Sequence, residues 1–182
     1  MPSERPVAEF DELTKVYRTA VSSVFALREV TARLARGALT VVAGPSGSGK
    51  SSLLRLLAGM DRPTSGRLQV DRVRVDRASS RALRRLRRRS VGYVFQRASD
   101  NFFPYLTVGE HVRLAARRSL RPPRVDTSEL LDVLGVADRA EHLPAELSGG
   151  EQARAAVAQV LAGGSSIVVA DEPTAELDTA ST

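Results

Sequence analysis

Eight consecutive residues, Gly44-Pro45-Ser46-Gly47-Ser48-Gly49-Lys50-Ser51, carry the strongest chemical signal in this chain. They fit the pattern G-x-x-x-x-G-K-[ST], in which glycine-rich backbone turns successive N–H groups inward around a phosphate. Lys50 would reach the β- and γ-phosphates of a nucleoside triphosphate, and the Ser51 hydroxyl would ligate Mg2+. A second signal is Asp171-Glu172, directly after the apolar run Ile167-Val168-Val169-Ala170. An Asp at the end of such a strand can hold Mg2+, and the adjacent Glu can orient or deprotonate an attacking water. Alone that pair is a weak signal; with a phosphate loop upstream it becomes strong.

The elements that must position these groups are legible around them. Leu39-Thr40-Val41-Val42-Ala43 predicts an apolar strand leading into the loop. A helix beginning near Lys50 follows, carrying Leu53, Leu54, Leu56, Leu57 and Ala58. Its N-terminus would add partial positive charge under the phosphates. The continuous apolar run 167–170 predicts a strand buried on both faces, as in a parallel sheet. Residues 5–34 read as two strands with a turn near Arg18 to Ser23. Short strands are expected over 67–75 and a strand over 90–96. Residues 97–147 read as helical, broken by Pro104, Pro122-Pro123 and Pro144.

Between the two signals stands Leu147-Ser148-Gly149-Gly150-Glu151-Gln152. Ser148 and Glu151 have capping-box spacing and open a predicted helix over 148–162. Two glycines in the first turn lower helix propensity, so a cap alone does not explain them. They suit the close approach of a phosphate to the backbone.

These motifs together resemble the nucleotide-binding domain of ATP-binding cassette (ABC) proteins from end to end of the chain. The match rests on Gly44 to Ser51, Gln96, Leu147 to Gln152, Ile167 to Glu172, and Ala175-Glu176-Leu177-Asp178. Leu56 to Gly66 and Ala170 to Thr174 most resemble the exporter ATPases of the lipoprotein-release and macrolide-export type. The resemblance implies an α/β fold: a P-loop NTPase core with a mostly parallel sheet, an N-terminal antiparallel β lobe and an inserted α-helical lobe over 97–147, in a single domain spanning 1–182.

It also implies roles. Tyr17 stacks on adenine. Gly44, Pro45, Ser46, Gly47, Ser48, Gly49, Lys50, Ser51 and Ser52 surround the phosphates, with Ser52 where threonine is usual. Ser51, Gln96 and Asp171 hold Mg2+, and Glu172 is the catalytic base beside Lys50 and Gln96. Ser148, Gly149, Gly150 and Gln152 serve the ATP of the opposite subunit in a head-to-tail dimer, and Asp178 lies in a loop crossing that interface. A transmembrane permease subunit is the implied partner, placing the chain in the cytoplasm on the inner face of the membrane.

Three departures stand out. The only histidines are His111 and His142, so no switch histidine is carried over. The family's further strand beyond Asp178 is missing, and the chain is expected to be a fragment of a longer protein with a gap in its central sheet. Arg72 also stands at a turn position where the family often has glycine.

Composition narrows the classes. The 182 residues carry a net charge of +6, and Lys15 and Lys50 are the only lysines among 27 basic residues. There is no cysteine, which excludes thiol catalysis, disulfides and zinc–thiolate sites. No apolar run reaches membrane-spanning length, and no signal peptide is expected at the N-terminus. Arg81 to Arg89 holds six arginines and reads as a solvated helix face with Leu83 and Leu86 packed inward. No interleaved aromatics support base stacking there, so nucleic acid is not the expected partner. Asn101 to Val108 holds three of the eight aromatics and is either ordinary core and loop packing or, as the resemblance implies, a stretch beside the groove that receives a helix from the membrane subunit. Competing readings are a nucleic-acid-associated ATPase on the same scaffold and an ATP-binding module without turnover.

Overall fold

The computed structural model describes residues 5–119 and 126–173. The chain divides into two compact units, residues 1–87 and 88–182.

The first unit is built on an antiparallel sheet. β1 (Ala8–Arg18) and β2 (Ser23–Leu34) form the hairpin expected over 5–34, turning through residues 19–22. β3 (Ser65–Val70) and β4 (Val73–Arg74) complete a sheet of order β2-β1-β3-β4. The β3–β4 turn places Asp71 and Arg72 at positive φ, 42° and 70°, so Arg72 adopts the conformation a glycine takes most easily. Between the hairpin and β3 runs α1 (Lys50–Leu57), with Leu53, Leu56 and Leu57 buried. Leu13, Leu56, Leu68, Val70 and Val75 are fully buried in this unit. Each such side chain contributes about 1.5–3 kcal/mol by leaving water. Then α2 (Ser80–Arg89) buries Leu83 and Leu86, while Arg81, Arg84, Arg85, Arg88 and Arg89 face solvent, as their spacing predicts.

The segment 39–43 departs from expectation. It is not a strand: Leu39 is 94% and Val41 77% exposed. A strand exists only as a hydrogen-bonded neighbour of another, and no described strand pairs with this segment. Its apolar pattern therefore has no ladder to join.

The second unit contains a parallel pair, β5 (Val91–Val94) and β6 (Ile167–Ala170), in register Val91↔Ile167 to Val94↔Ala170. β6 has the predicted bounds but not the predicted burial: Val169 is buried and Val168 is 41% exposed. With only two strands described in this sheet, one face of β6 is covered and the other is open.

α3 (Val108–Arg118), α4 (Thr127–Val133) and α5 (Gly149–Ala162) pack around Val108, Val112, Leu130, Leu131, Val136, Leu147, Ala155 and Ala158. Short 3-10 turns occupy Ala98–Asn101, Ala137–Arg139 and Pro144–Glu146. The predicted break at Pro122-Pro123 lies outside the described residues. α5 approaches β5 closely because Gly92 has no side chain. A Cβ there would stand 2.2 Å from Val160 Cγ1.

Candidate functional site

In the first unit the phosphate loop precedes α1 directly, and Gly49 is the residue before the first helical turn, at φ 91°. That conformation suits glycine. Space requires it too: a Cβ on Gly49 would lie 2.1 Å from the Ala26 carbonyl oxygen of β2. The loop is therefore seated against the hairpin by the protein's own backbone, before any phosphate arrives. Lys50 turns back over the loop and donates to the carbonyls of Gly44 (3.0 Å) and Pro45 (3.1 Å). A triphosphate would exchange those carbonyls for phosphate oxygens, a stronger partner for an ammonium. Pro45, Ser46, Gly47, Ser48 and Ser51 are exposed and Ser52 half-buried along the same loop and helix start.

Tyr17, near the end of β1, is 38% exposed. It sits opposite Val24 in the hairpin, two residues from the Ala26 carbonyl that abuts Gly49. The aromatic expected to meet the base and the loop expected to meet the phosphates thus lie at the same end of one hairpin. A cluster that sequence reasoning missed surrounds Tyr17. Lys15 Nζ donates to Asp61 Oδ1 and to the Arg62 carbonyl, both at 2.8 Å. The Tyr17 hydroxyl donates to Asp61 Oδ2 at 3.2 Å.

In the second unit, residues at the C-terminal ends of β5 and β6 converge. Gln96 Nε2 donates to Glu172 Oε2 at 3.0 Å. Asp171 is buried, its backbone N–H bonded to the Val94 carbonyl (3.1 Å) and its carboxylate accepting from the Tyr93 hydroxyl (3.4 Å). Glu172 is exposed and its backbone is left-handed, φ 45°. The ladder register alone brings Gln96 and Asp171-Glu172 together across 76 residues of sequence. Asn101 braces the strand end by donating to the Tyr93 carbonyl (2.8 Å) and accepting from Phe95 N–H (3.0 Å).

The Ser148 capping box forms as its spacing predicts. Glu151 N–H donates to Ser148 Oγ (3.3 Å), and Ser148 N–H donates to Glu151 Oε2 (2.8 Å). Arg139 Nε adds a contact to Glu151 Oε1 at 2.9 Å. The Ser148 backbone N–H first, then its hydroxyl and Arg139, hold the Glu151 carboxyl down to about 2. Gln152 faces inward: its amide donates to the carbonyls of Pro144 (2.9 Å) and Leu147 (3.2 Å), tying α5 to the preceding turn. Gly149 and Gly150 lie in the first turn of α5. Asp178 lies outside the described residues.

One histidine, His111, is buried. His111 Nε2 accepts from Phe103 N–H at 2.7 Å and Nδ1 meets the Thr107 carbonyl at 2.8 Å. Both bonds form only with the neutral ring protonated on Nδ1. Burial lowers its pKa, against the opposing pull of the Thr107 carbonyl and Glu110.

The side-chain donors that the sequence motifs offer are hydroxyl, carboxamide and carboxylate oxygens, a set that suits Mg2+. Among the described residues no group of three or more His, Cys, Asp or Glu forms a metal cluster. No described helix is long and apolar enough to cross a membrane.

Comparisons agree with this chemistry. The family model described as ABC transporter matches residues 27–175. A lipoprotein-releasing system ATP-binding protein, LolD 1 of Rhodopirellula baltica, is 40% identical over 170 residues, covering 92% of this chain and 73% of the relative. The macrolide export ATP-binding/permease protein MacB of Brucella melitensis is 36% identical over 179 residues, covering 97% of this chain and 27% of that longer protein. Among solved structures, the dimeric ATP-binding cassette MJ0796, in a post-hydrolysis state bound to ADP and phosphate, superposes with a TM-score of 0.82 at 32% identity, over 94% of this chain and 76% of that one. The chain thus belongs to the ABC transporter family, with the P-loop NTPase fold, as an ATP-binding subunit that energises transport.

Proposed function

We propose that Lys50, Ser51, Gln96, Asp171 and Glu172 carry Mg-ATP hydrolysis in this chain, within a single nucleotide-binding domain whose helical lobe spans 97–147. The observation that carries the reading is the meeting of Gln96, Asp171 and Glu172 at the C-terminal ends of a parallel strand pair. Open α/β sheets bind their ligands at that edge. Lys50 neutralises charge on the β- and γ-phosphates, and the loop N–H groups and the α1 N-terminus hold them. Glu172, exposed and hydrogen-bonded through one carboxylate oxygen to Gln96, takes the proton of the attacking water. Ser51, Gln96 and Asp171 would hold Mg2+, which supplies Lewis-acid stabilisation of phosphate charge. Tyr17 stacks on the adenine. Ser148, Gly149, Gly150, Gln152 and Asp178 serve the second subunit's nucleotide in a head-to-tail dimer, and a membrane permease is the partner at the cytoplasmic face. Likeness to lipoprotein-release and macrolide-export ATPases favours export.

The test combines thermal melts and phosphate release. Mg-ATP at a hundredfold excess over Kd is expected to stabilise the wild type by about 2.7 kcal/mol and to leave Lys50→Ala unmoved. Glu172→Gln is expected to keep the melt shift while phosphate release falls about 10²-fold or more. A Lys50→Ala protein that responds to Mg-ATP like the wild type would overturn the reading.

A further inference from the structure

We infer that Asp61, with Lys15, is a positioning residue that fixes the Tyr17 ring for base stacking and ties that ring to the helix of the phosphate loop; the inference rests on the nucleotide-site reading above. Lys15 lies on β1 two residues before Tyr17, and its ammonium sits 4.9 Å from the Tyr17 ring centroid, in cation–π contact. The same ammonium bonds Asp61 Oδ1, while Asp61 Oδ2 accepts the Tyr17 hydroxyl. One carboxylate therefore holds the ring by its edge and, through Lys15, by one face. That leaves the other face of a 38% exposed ring for a ligand's base.

The second half of the argument is where Asp61 sits. It follows α1 by four residues, on the turn that ends the phosphate-loop helix. Met60 and Asp61 N–H both bond back to the Arg55 carbonyl of that helix, at 2.9 and 3.4 Å. The turn is stitched to β1 on its far side as well. Thr64 N–H donates to the Thr14 carbonyl (2.8 Å), and Val16 N–H donates to Thr64 Oγ1 (2.9 Å). Lys15 Nζ also bonds the Arg62 carbonyl, so the ammonium is held by two acceptors of the turn and by the ring. Burial opposes ionisation of Asp61, but the Lys15 ammonium, the Arg62 N–H and the Tyr17 hydroxyl outweigh it and hold the carboxyl below its ordinary value. The Asp61 carboxylate is thus ionised and satisfied at neutral pH. Base and phosphate contacts are set by one covalent and hydrogen-bonded path, Lys50 through α1 to Asp61 to Tyr17.

The experiment separates positioning from folding by using a ligand with no base. Binding of Mg-ATP and of Mg-tripolyphosphate is measured by calorimetry on the wild type, Asp61→Asn, Tyr17→Phe, Tyr17→Ala and the double variant Asp61→Asn with Tyr17→Ala. Tyr17→Ala is expected to weaken ATP by roughly 5- to 150-fold, the range for a lost base–aromatic stack. Asp61→Asn is expected to weaken ATP by about two- to tenfold, with tripolyphosphate unchanged. Tyr17→Phe, which keeps the ring and loses the hydroxyl, should fall between the wild type and Tyr17→Ala for ATP alone. In the double variant Asp61→Asn should add nothing. Equal losses for ATP and tripolyphosphate in Asp61→Asn would mean a merely structural carboxylate and overturn the inference. So would an Asp61→Asn effect that persists in full without the Tyr17 ring, or no effect of Tyr17→Ala. A wild type that binds neither ligand in a Lys50-dependent way would instead overturn the nucleotide-site reading on which this stands.

Discussion

The glycine-rich loop and the strand-end acidic pair reach their geometry by different means. The phosphate loop is placed from one side: Gly49 abuts the Ala26 carbonyl, Lys50 folds onto the loop's own carbonyls, and residues 39–43 leading into it pair with no described strand. The acidic pair is placed by a ladder. Asp171 N–H closes the last rung to Val94, and Gln96 meets Glu172 as a consequence of the register. Local chain geometry suffices to place a loop. Two side chains 76 residues apart need a strand pair.

This contrast is most sharply tested by hydrogen exchange. The ladder-bonded amides within 91–94 and 167–170 are expected to exchange at least about 10³-fold more slowly than those of 39–43, because ladder amides open only with the unit while unpaired ones face water. Comparable protection in both segments would erase the difference. A smaller effect targets the packing behind the ladder. Gly92→Ala puts a methyl 2.2 Å from Val160 Cγ1. Overpacking of this kind costs about 1–3 kcal/mol. The expected result is a lower Tm and faster exchange along α5, read by denaturation and exchange mass spectrometry. An unchanged Tm would show that α5 can withdraw from β5 at little cost.

The smallest expected effect is a pH dependence in the helical part of the second unit. The folded-state pKa of His111 lies below its ordinary value, chiefly through burial. The unfolded chain therefore binds the proton more readily, and stability is full above pH 6.5 and falls as pH drops below it. The slope is at most about 1.4 kcal/mol per pH unit. Protonation also ends the Phe103 N–H bond to Nε2. Glu151, held down to about 2, keeps its charge through this range and contributes its own loss only between about pH 4.5 and 2. Denaturant melts at pH 7.5 and 5.5 on the wild type and His111→Asn are expected to differ in slope, with the variant flat.

Features governed by short spacing were legible in the residues themselves. The Ser148–Glu151 box, the hairpin turn near 18–23, the helix start at Lys50 and the inward Leu83 and Leu86 all depend on neighbours within a turn or two. Features governed by distant partners were not. An apolar run at 39–43 carries the pattern of a strand but not the neighbour that makes it one. The run 167–170 carries the pattern of a doubly buried strand, yet Val168 is exposed because burial depends on what else covers the sheet. The Lys15–Asp61–Tyr17 cluster joins residues 46 apart, and nothing in either segment marks the other as its partner. His111 was noted only for not being a switch histidine; its two bonded nitrogens emerge from the loop that wraps it.

Glu172 bears on how such a chain can drift over generations. Its backbone sits at φ 45°, a region that costs a residue with a side chain about 1–3 kcal/mol and glycine almost nothing. Replacing it with glycine would relieve that strain at the loss of the exposed Gln96–Glu172 hydrogen bond, and would leave the ladder bond of Asp171 untouched. Laboratory evolution toward higher Tm should therefore erode this position early unless the proposed role of Glu172 in turnover is selected alongside.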